Sequence, residues 1–109
     1  MKHLESIEEL DQLITNEDFV FLYISTPSCN VCKVLLPKVD KLLEEFPNIE
    51  ARYIDATKFS EIQGRFLVFA VPTLISIITG KEIFRESRNV SLDILKEKIE
   101  RYYSLIFEE

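Results

Sequence analysis

The strongest constraint on the fold is a run of six apolar residues at positions 19–24, Phe-Val-Phe-Leu-Tyr-Ile. Aromatic and β-branched side chains favour extended backbone, and an apolar run without alternation is typical of a strand that is buried on both faces. Such a strand lies inside a sheet that is covered on each side. We therefore interpret residues 19–24 as a central strand.

The segments on either side of this run alternate between helical and extended patterns. Ser6 and Glu9 are spaced as a capping box at the start of the first helix. A strand that follows a long helix usually pairs in parallel with the strand before it, whereas the dipeptide Thr79-Gly80 predicts an antiparallel hairpin. The expected order is an amphipathic helical stripe over residues 4–14, the strand at 19–24, a helix through 32–46, a strand at 51–55, a short helix within 56–69, a hairpin over 71–86 and a helix from about residue 91.

Length and charge limit what this chain can be. A chain of 109 residues, 47% hydrophobic and 29% charged, fits one α/β domain over residues 1–109, with a mixed β-sheet flanked by helices on both faces. The net charge of −6 and the lack of a basic cluster argue against nucleic acid and anionic membranes as partners. Acidic residues interrupt the N-terminal segment where a signal peptide needs an apolar run, and no segment reaches membrane-spanning length. We expect a cytoplasmic monomer.

The only two cysteines, Cys29 and Cys32, are separated by two residues directly after the central strand. In a reducing compartment this spacing is typical of redox catalysis or metal binding. Structural zinc needs four ligands, and His3 is the only additional nitrogen ligand of the favoured kind, so the sequence argues against a metal site within one chain. Cysteines that merely pack in the core are a second alternative. We expect neither a metal nor a cofactor.

The position of the pair predicts different roles for the two thiols. Cys29 falls in the first turn of a helix, where free N–H groups and the helix dipole favour the thiolate, so we expect it to be the nucleophile. Cys32 lies one turn later on the apolar face of the same helix. We expect it to be shielded from solvent and to resolve the mixed disulfide.

Prolines around this pair resemble landmarks of the thioredoxin family, and the resemblance covers nearly the whole chain. Pro27 precedes the cysteines, Pro37 lies within the next helix, and Val71-Pro72 resembles the cis-proline turn of the family. The resemblance implies a thioredoxin-like fold and a substrate surface that includes Pro27, Ser28, Val71 and Pro72. It also implies an oxidoreductase that acts on disulfide-containing protein substrates. An external thioredoxin reductase or a low-molecular-weight thiol would then restore the dithiol.

Several positions depart from the family pattern. Tyr23 stands where many members carry a buried acid that helps to deprotonate the resolving thiol. Because tyrosine is a poor base at neutral pH, we expect slow resolution by Cys32, which Tyr23→Asp should accelerate. Ser25 and Ser28 replace two tryptophans common in the family, which predicts a smaller and more polar docking surface. Arg88 lies where the family often has a glycine. These departures keep open the alternative of a thioredoxin-fold binding module with vestigial cysteines.

Overall fold

A computed structural model describes residues 1–107 as a four-stranded sheet with helices on both faces. In chain order the elements are α1 (Ile7–Asn16), β1 (Phe19–Ser25), α2 (Asn30–Leu43), β2 (Glu50–Asp55), α3 (Glu61–Arg65), β3 (Thr73–Ile78), β4 (Lys81–Ser87) and α4 (Leu92–Phe107). The strands follow the order β2-β1-β3-β4, with α1 and α3 packed on one face and α2 and α4 on the other. The predicted fold class and element order are confirmed.

Strand β1 is the centre of both the sheet and the core. It pairs in parallel with β2 and antiparallel with β3, and all seven of its residues are buried. Successive side chains point to opposite faces. Leu22 and Ile24 therefore pack in the hydrophobic cluster beneath α1, whereas Phe21 and Tyr23 pack in the cluster beneath α2 and α4. The run at residues 19–24 is a central strand, as predicted, and the cysteine segment begins directly beyond its end.

The β3–β4 hairpin turns at Thr79 and Gly80, whose φ angles are +47° and +84°. Two successive positive φ angles are typical of a type I′ turn, whose twist matches that of the strands it joins. Glycine carries no Cβ and adopts this conformation without strain. The dipeptide therefore terminates β3 and starts β4, as its sequence predicts.

Three details differ from the sequence prediction. Cys29 does not lie inside a helix: it is the N-cap of α2, which begins at Asn30. Phe46, expected on that helix, lies beyond its end at Leu43 and is buried there. Leu4 fits the spacing of the first helical stripe but lies before α1, because the segment around it is extended.

Residues 2–4 pair with the outer edge of β2. The N–H of Leu4 donates to the carbonyl of Tyr53, and the N–H of Tyr53 donates to the carbonyl of Lys2, both at 2.8 Å. His3 lies between these two contacts as the bridge partner of Tyr53. An edge strand has unpaired backbone groups, and these two bonds satisfy one donor and one acceptor of β2. The pairing fixes the N-terminal segment beside the sheet and buries Leu4.

The start of α1 is capped largely as its sequence predicts. The Oγ of Ser6 accepts the N–H of Glu9 at 3.1 Å, whereas the Glu9 carboxylate accepts the N–H of Glu5 at 2.8 Å instead of that of Ser6. Glu9 also pairs with the guanidinium of Arg52 at 3.0 Å, which connects α1 to β2. The hydrogen bond from Glu5, followed by the contact with Arg52, lowers the pKa of Glu9 although partial burial opposes the shift.

We expect Glu9→Gln to destabilise the fold by about 1 kcal/mol at neutral pH and by much less in acid. The folded-state pKa of Glu9 is depressed, so its stabilisation is complete above an unfolded pKa of about 4.3 and is lost as the pH falls through the folded value. Urea unfolding across this range measures the effect, with the exposed Glu8→Gln as the matched control. A penalty for Glu9→Gln that stays constant from neutral to acidic pH would contradict this assignment.

Candidate active site

The two cysteines form a disulfide across the first turn of α2. Their Cα atoms are 5.3 Å apart, and the N–H of Cys32 donates to the Sγ of Cys29 at 3.2 Å. In the reduced form a negative sulfur at the N-cap accepts this hydrogen bond and faces the positive end of the helix dipole. The arrangement therefore favours thiolate character on Cys29.

Exposure distinguishes the two sulfur-bearing residues. Cys29 is half-buried, whereas Cys32 is 1% exposed and packs in the cluster with Tyr23 and Val39. Cys32 is buried because α2 turns its apolar face to the sheet, and a residue three positions after the cap falls on that face. The predicted difference in shielding is present: only Cys29 lies where an incoming disulfide has access.

The turn before β3 lies close to the segment that leads into the cysteines. The Val71-Pro72 peptide bond is cis, as the family resemblance implies. Val71 and Thr26 line one cavity of about 380 Å³, so the two segments share a groove. Val71 is half-buried and Pro72 is buried, whereas Pro27 and Ser28 are exposed. Of the four residues expected to bind substrate, three are therefore at least partly accessible to solvent.

Apolar side chains surround the site, and the sequence prediction of a more polar surface overlooks them. Phe69 is 87% exposed and lines the same cavity as Val71. Val31, between the cysteines, and Val34, one turn further along α2, are 64% and 62% exposed. The sequence has four consecutive apolar residues at positions 66–69, but this segment has no clear helical or strand period that would predict which of them are exposed. The sequence alone therefore does not identify Phe69 as a residue of the site.

Tyr23 packs beneath the cysteine helix and keeps its proton. The side chain is fully buried, and its hydroxyl donates to the carbonyl of Cys32 at 2.7 Å. Burial, with smaller contributions from Tyr53 and Asp40, raises the pKa of Tyr23 to about 12. The phenol is therefore a hydrogen-bond donor at neutral pH and not a proton acceptor, in agreement with the expectation from its sequence position.

Arg88 occupies a backbone conformation that favours glycine. Its φ angle is +63°, and its N–H donates to the carbonyl of Pro72 at 3.0 Å. The exposed side chain lines a cavity of about 440 Å³ together with Val31 and Leu35. A non-glycine residue in the left-handed region carries a modest strain. At this position the residue brings a guanidinium group beside the cysteine helix.

Neither a metal-binding cluster nor a membrane-spanning element is found among residues 1–107. No group of three or more His, Cys, Asp or Glu side chains converges in this part of the chain. Its helices are all too short or too polar to cross a bilayer.

Comparison with known proteins agrees with the geometry. Residues 2–101 match the family model described as Thioredoxin. The chain is 41% identical over 105 residues to thioredoxin-like protein YdfQ of Bacillus subtilis (strain 168), which covers 96% of this chain and 94% of that protein. Among solved structures, a mutant thioredoxin of Halobacterium salinarum NRC-1 is 26% identical, with a TM-score of 0.86 over 96% of this chain and 92% of that one. Fasciola hepatica thioredoxin is 30% identical, with a TM-score of 0.83 over 93% and 98%.

Proposed function

We propose, from the premise that this chain belongs to the thioredoxin family, that it reduces disulfide bonds in protein substrates by dithiol–disulfide exchange. Family membership and the Cys29–Cys32 pair make it a thiol–disulfide oxidoreductase. The more specific proposal rests on the difference in exposure between the two cysteines. Cys29 is accessible at a helix N-cap, whereas Cys32 is 1% exposed within reach of it.

The difference in exposure assigns an order to the exchange steps. The Cys29 thiolate attacks one sulfur of a substrate disulfide, and the second substrate sulfur leaves as a thiolate. Cys32 then loses its proton and attacks the Sγ of Cys29, which breaks the mixed disulfide and releases the first substrate sulfur. The substrate gains two electrons, and the Cys29–Cys32 pair is left oxidised. Neither step requires a cofactor bound to this chain.

The groove beside Cys29 is the proposed substrate site. An extended peptide that lies along Val71 and Pro72 would bring its disulfide over the cysteine pair and pair with exposed backbone, as in strand addition. Pro27 and Ser28 border this path from the other side. Phe69, with its large exposed fraction, supplies an apolar contact for residues that flank the target disulfide.

A reducing partner and location complete the proposal. Each turnover leaves the pair oxidised, so a thioredoxin reductase or a low-molecular-weight thiol must return two electrons. Such regeneration suits a reducing compartment, and we place the protein in the cytoplasm as a monomer.

The redox equilibrium of the cysteine pair tests the proposed direction. The purified protein is equilibrated in dithiol and glutathione buffers, and the mass added by an alkylating reagent measures the fraction reduced. We expect one two-electron transition near the reducing end of the family range, about −270 mV. A transition near about −120 mV would indicate an oxidase or isomerase and overturn the proposed reductase. Failure to form the Cys29–Cys32 disulfide at any potential would reject redox function altogether.

A binding module is the second candidate, and two observations favour it. Tyr23 provides no proton acceptor beside Cys32, and the exposed apolar residues Val31 and Phe69 suit non-covalent docking of a protein partner. In that function the cysteines would be vestigial, and their replacement would leave binding intact. Capture experiments with cysteine variants, described in the Discussion, separate the two functions.

A further inference from the structure

A second opening, separate from the substrate groove, reaches Cys32. Cys32 is almost fully buried, yet it lines a cavity of about 230 Å³. Residues from the N-terminal segment, β1, α2 and β2 surround this cavity: His3, Ser25, Cys32, Lys33, Leu36 and Tyr53. A water molecule needs about 30 Å³, so the cavity has room for several. Its lining is mostly apolar, and the polar side chains of His3 and Ser25 offer hydrogen bonds to water there.

His3 is held in the wall of this cavity by its neighbours. The backbone bonds of Lys2 and Leu4 to Tyr53, both 2.8 Å, fix the chain on either side of His3. The imidazole stacks on the Tyr53 ring with a centroid distance of 4.5 Å and an interplanar angle of 28°. His3 is thus exposed to solvent but has a defined position. The sequence predicts a solvent-exposed His3 without a role, because it does not reveal that residues 2–4 join the sheet.

Resolution requires that Cys32 lose a proton, and the residues around it leave few acceptors. The titratable and charged groups that approach the cavity or pack behind it are His3, Lys33, Tyr53, Tyr23 and Asp40. An ammonium and a phenol do not accept protons at neutral pH, and Asp40 is paired with the N-terminal ammonium at 2.8 Å. Histidine is the side chain whose charge ordinarily changes between about pH 5 and 8.

We propose that His3 is the proton acceptor for Cys32, acting through water in this cavity. The inference rests on the proposed exchange function. In the step, the Cys32 thiol gives its proton to a water, which passes a proton to the neutral imidazole, and the thiolate attacks the Sγ of Cys29. The bond between Cys29 and the substrate sulfur breaks as the new disulfide forms. The substrate leaves as a thiolate, and the imidazolium returns its proton to solvent.

Stopped-flow reaction of the reduced protein with 5,5′-dithiobis(2-nitrobenzoate) tests this role, because each attack releases one coloured thiolate. The first phase reports attack by Cys29 and the second reports resolution by Cys32. For the wild type we expect the rate of the second phase to rise with pH through an inflection, because only the neutral imidazole accepts a proton. In His3→Phe, which retains the aromatic stack, we expect the inflection to disappear and the second phase at neutral pH to slow at least about tenfold. The first phase should not change.

Chemical rescue and a neighbouring substitution complete the test. Imidazole added to His3→Ala should accelerate the second phase, with little effect on the wild type. Lys2→Gln, which removes an adjacent exposed charge, should retain the wild-type inflection. If His3→Phe and His3→Ala keep the wild-type second phase, His3 is not the acceptor, whereas the exchange function stands. Absence of any second phase in the wild type would instead reject the exchange function.

Discussion

Cys32→Ser is expected to accumulate covalent complexes with disulfide-containing proteins, whereas Cys29→Ser is expected to form almost none. Without Cys32 the mixed disulfide at Cys29 has no internal thiol to resolve it, and without Cys29 the remaining thiol is 1% exposed. Each variant should lose disulfide reductase activity by on the order of a thousandfold or more, because each removes an essential step. Insulin reduction measures the activity, and non-reducing gels followed by mass spectrometry identify the trapped proteins.

The double variant Cys29→Ser/Cys32→Ser provides the matched control for this capture. Its complexes are non-covalent and should be lost in denaturant, so any protein retained there is background. If Cys32→Ser captures no more than this control, while both bind one partner without a covalent bond, the exchange mechanism is wrong and the binding module is favoured. Reduction of the captured complexes by a dithiol should release the partner and confirm the disulfide linkage.

Tyr23→Asp is expected to accelerate resolution about tenfold while it destabilises the fold by about 3 to 5 kcal/mol. The carboxylate replaces a phenol whose pKa is about 12 with a group able to accept the proton of Cys32. The destabilisation arises because a large, fully buried aromatic side chain and its stacking contact with Tyr53 are lost. The second phase of the stopped-flow reaction measures the rate, and urea unfolding measures the stability.

Tyr23→Phe distinguishes the effect of the added carboxylate from the effect of losing the phenol hydroxyl. It removes only the hydrogen bond to the Cys32 carbonyl, so we expect a loss of about 1 kcal/mol in stability and no acceleration. An equal acceleration in Tyr23→Phe would assign the effect to loosened packing and not to proton transfer. In the Tyr23→Asp background, His3→Phe should no longer slow resolution, because the new carboxylate replaces the imidazole as acceptor.

Features that depend on local pattern were predictable from the sequence. The apolar run at 19–24 favours a buried strand, and Gly80 favours a turn because glycine adopts positive φ angles without strain. The cysteine spacing together with that strand places both thiols at a helix start. The cis geometry of Val71-Pro72, by contrast, came from the family resemblance, because most X-Pro bonds in folded proteins are trans.

Features that depend on long-range contact were not predictable in the same way. Leu4 fits the helical spacing of residues 4–14, and only the free edge of β2 decides that the segment at 2–4 pairs with Tyr53 instead. The sequence around Cys29 is compatible with the first turn of α2 or with its N-cap, because the two assignments place the start of the helix only one residue apart. Phe69 belongs to an irregular segment where sequence offers no period, and its exposure follows from the path of the turn before β3.

The central position of β1 also determines how long the site keeps its shape. Amides in a strand bonded on both sides exchange with solvent only when the sheet itself opens, so β1 should be among the last segments to take up deuterium. Residues 26–29 follow this strand directly and are not part of a helix or strand. The cysteine pair is therefore anchored at one end to the slowest-opening part of the molecule. Because the sheet opens rarely, we expect the geometry of the cysteine pair to persist through many catalytic cycles. Local motion should be confined to the short segment at residues 26–29 that meets the substrate.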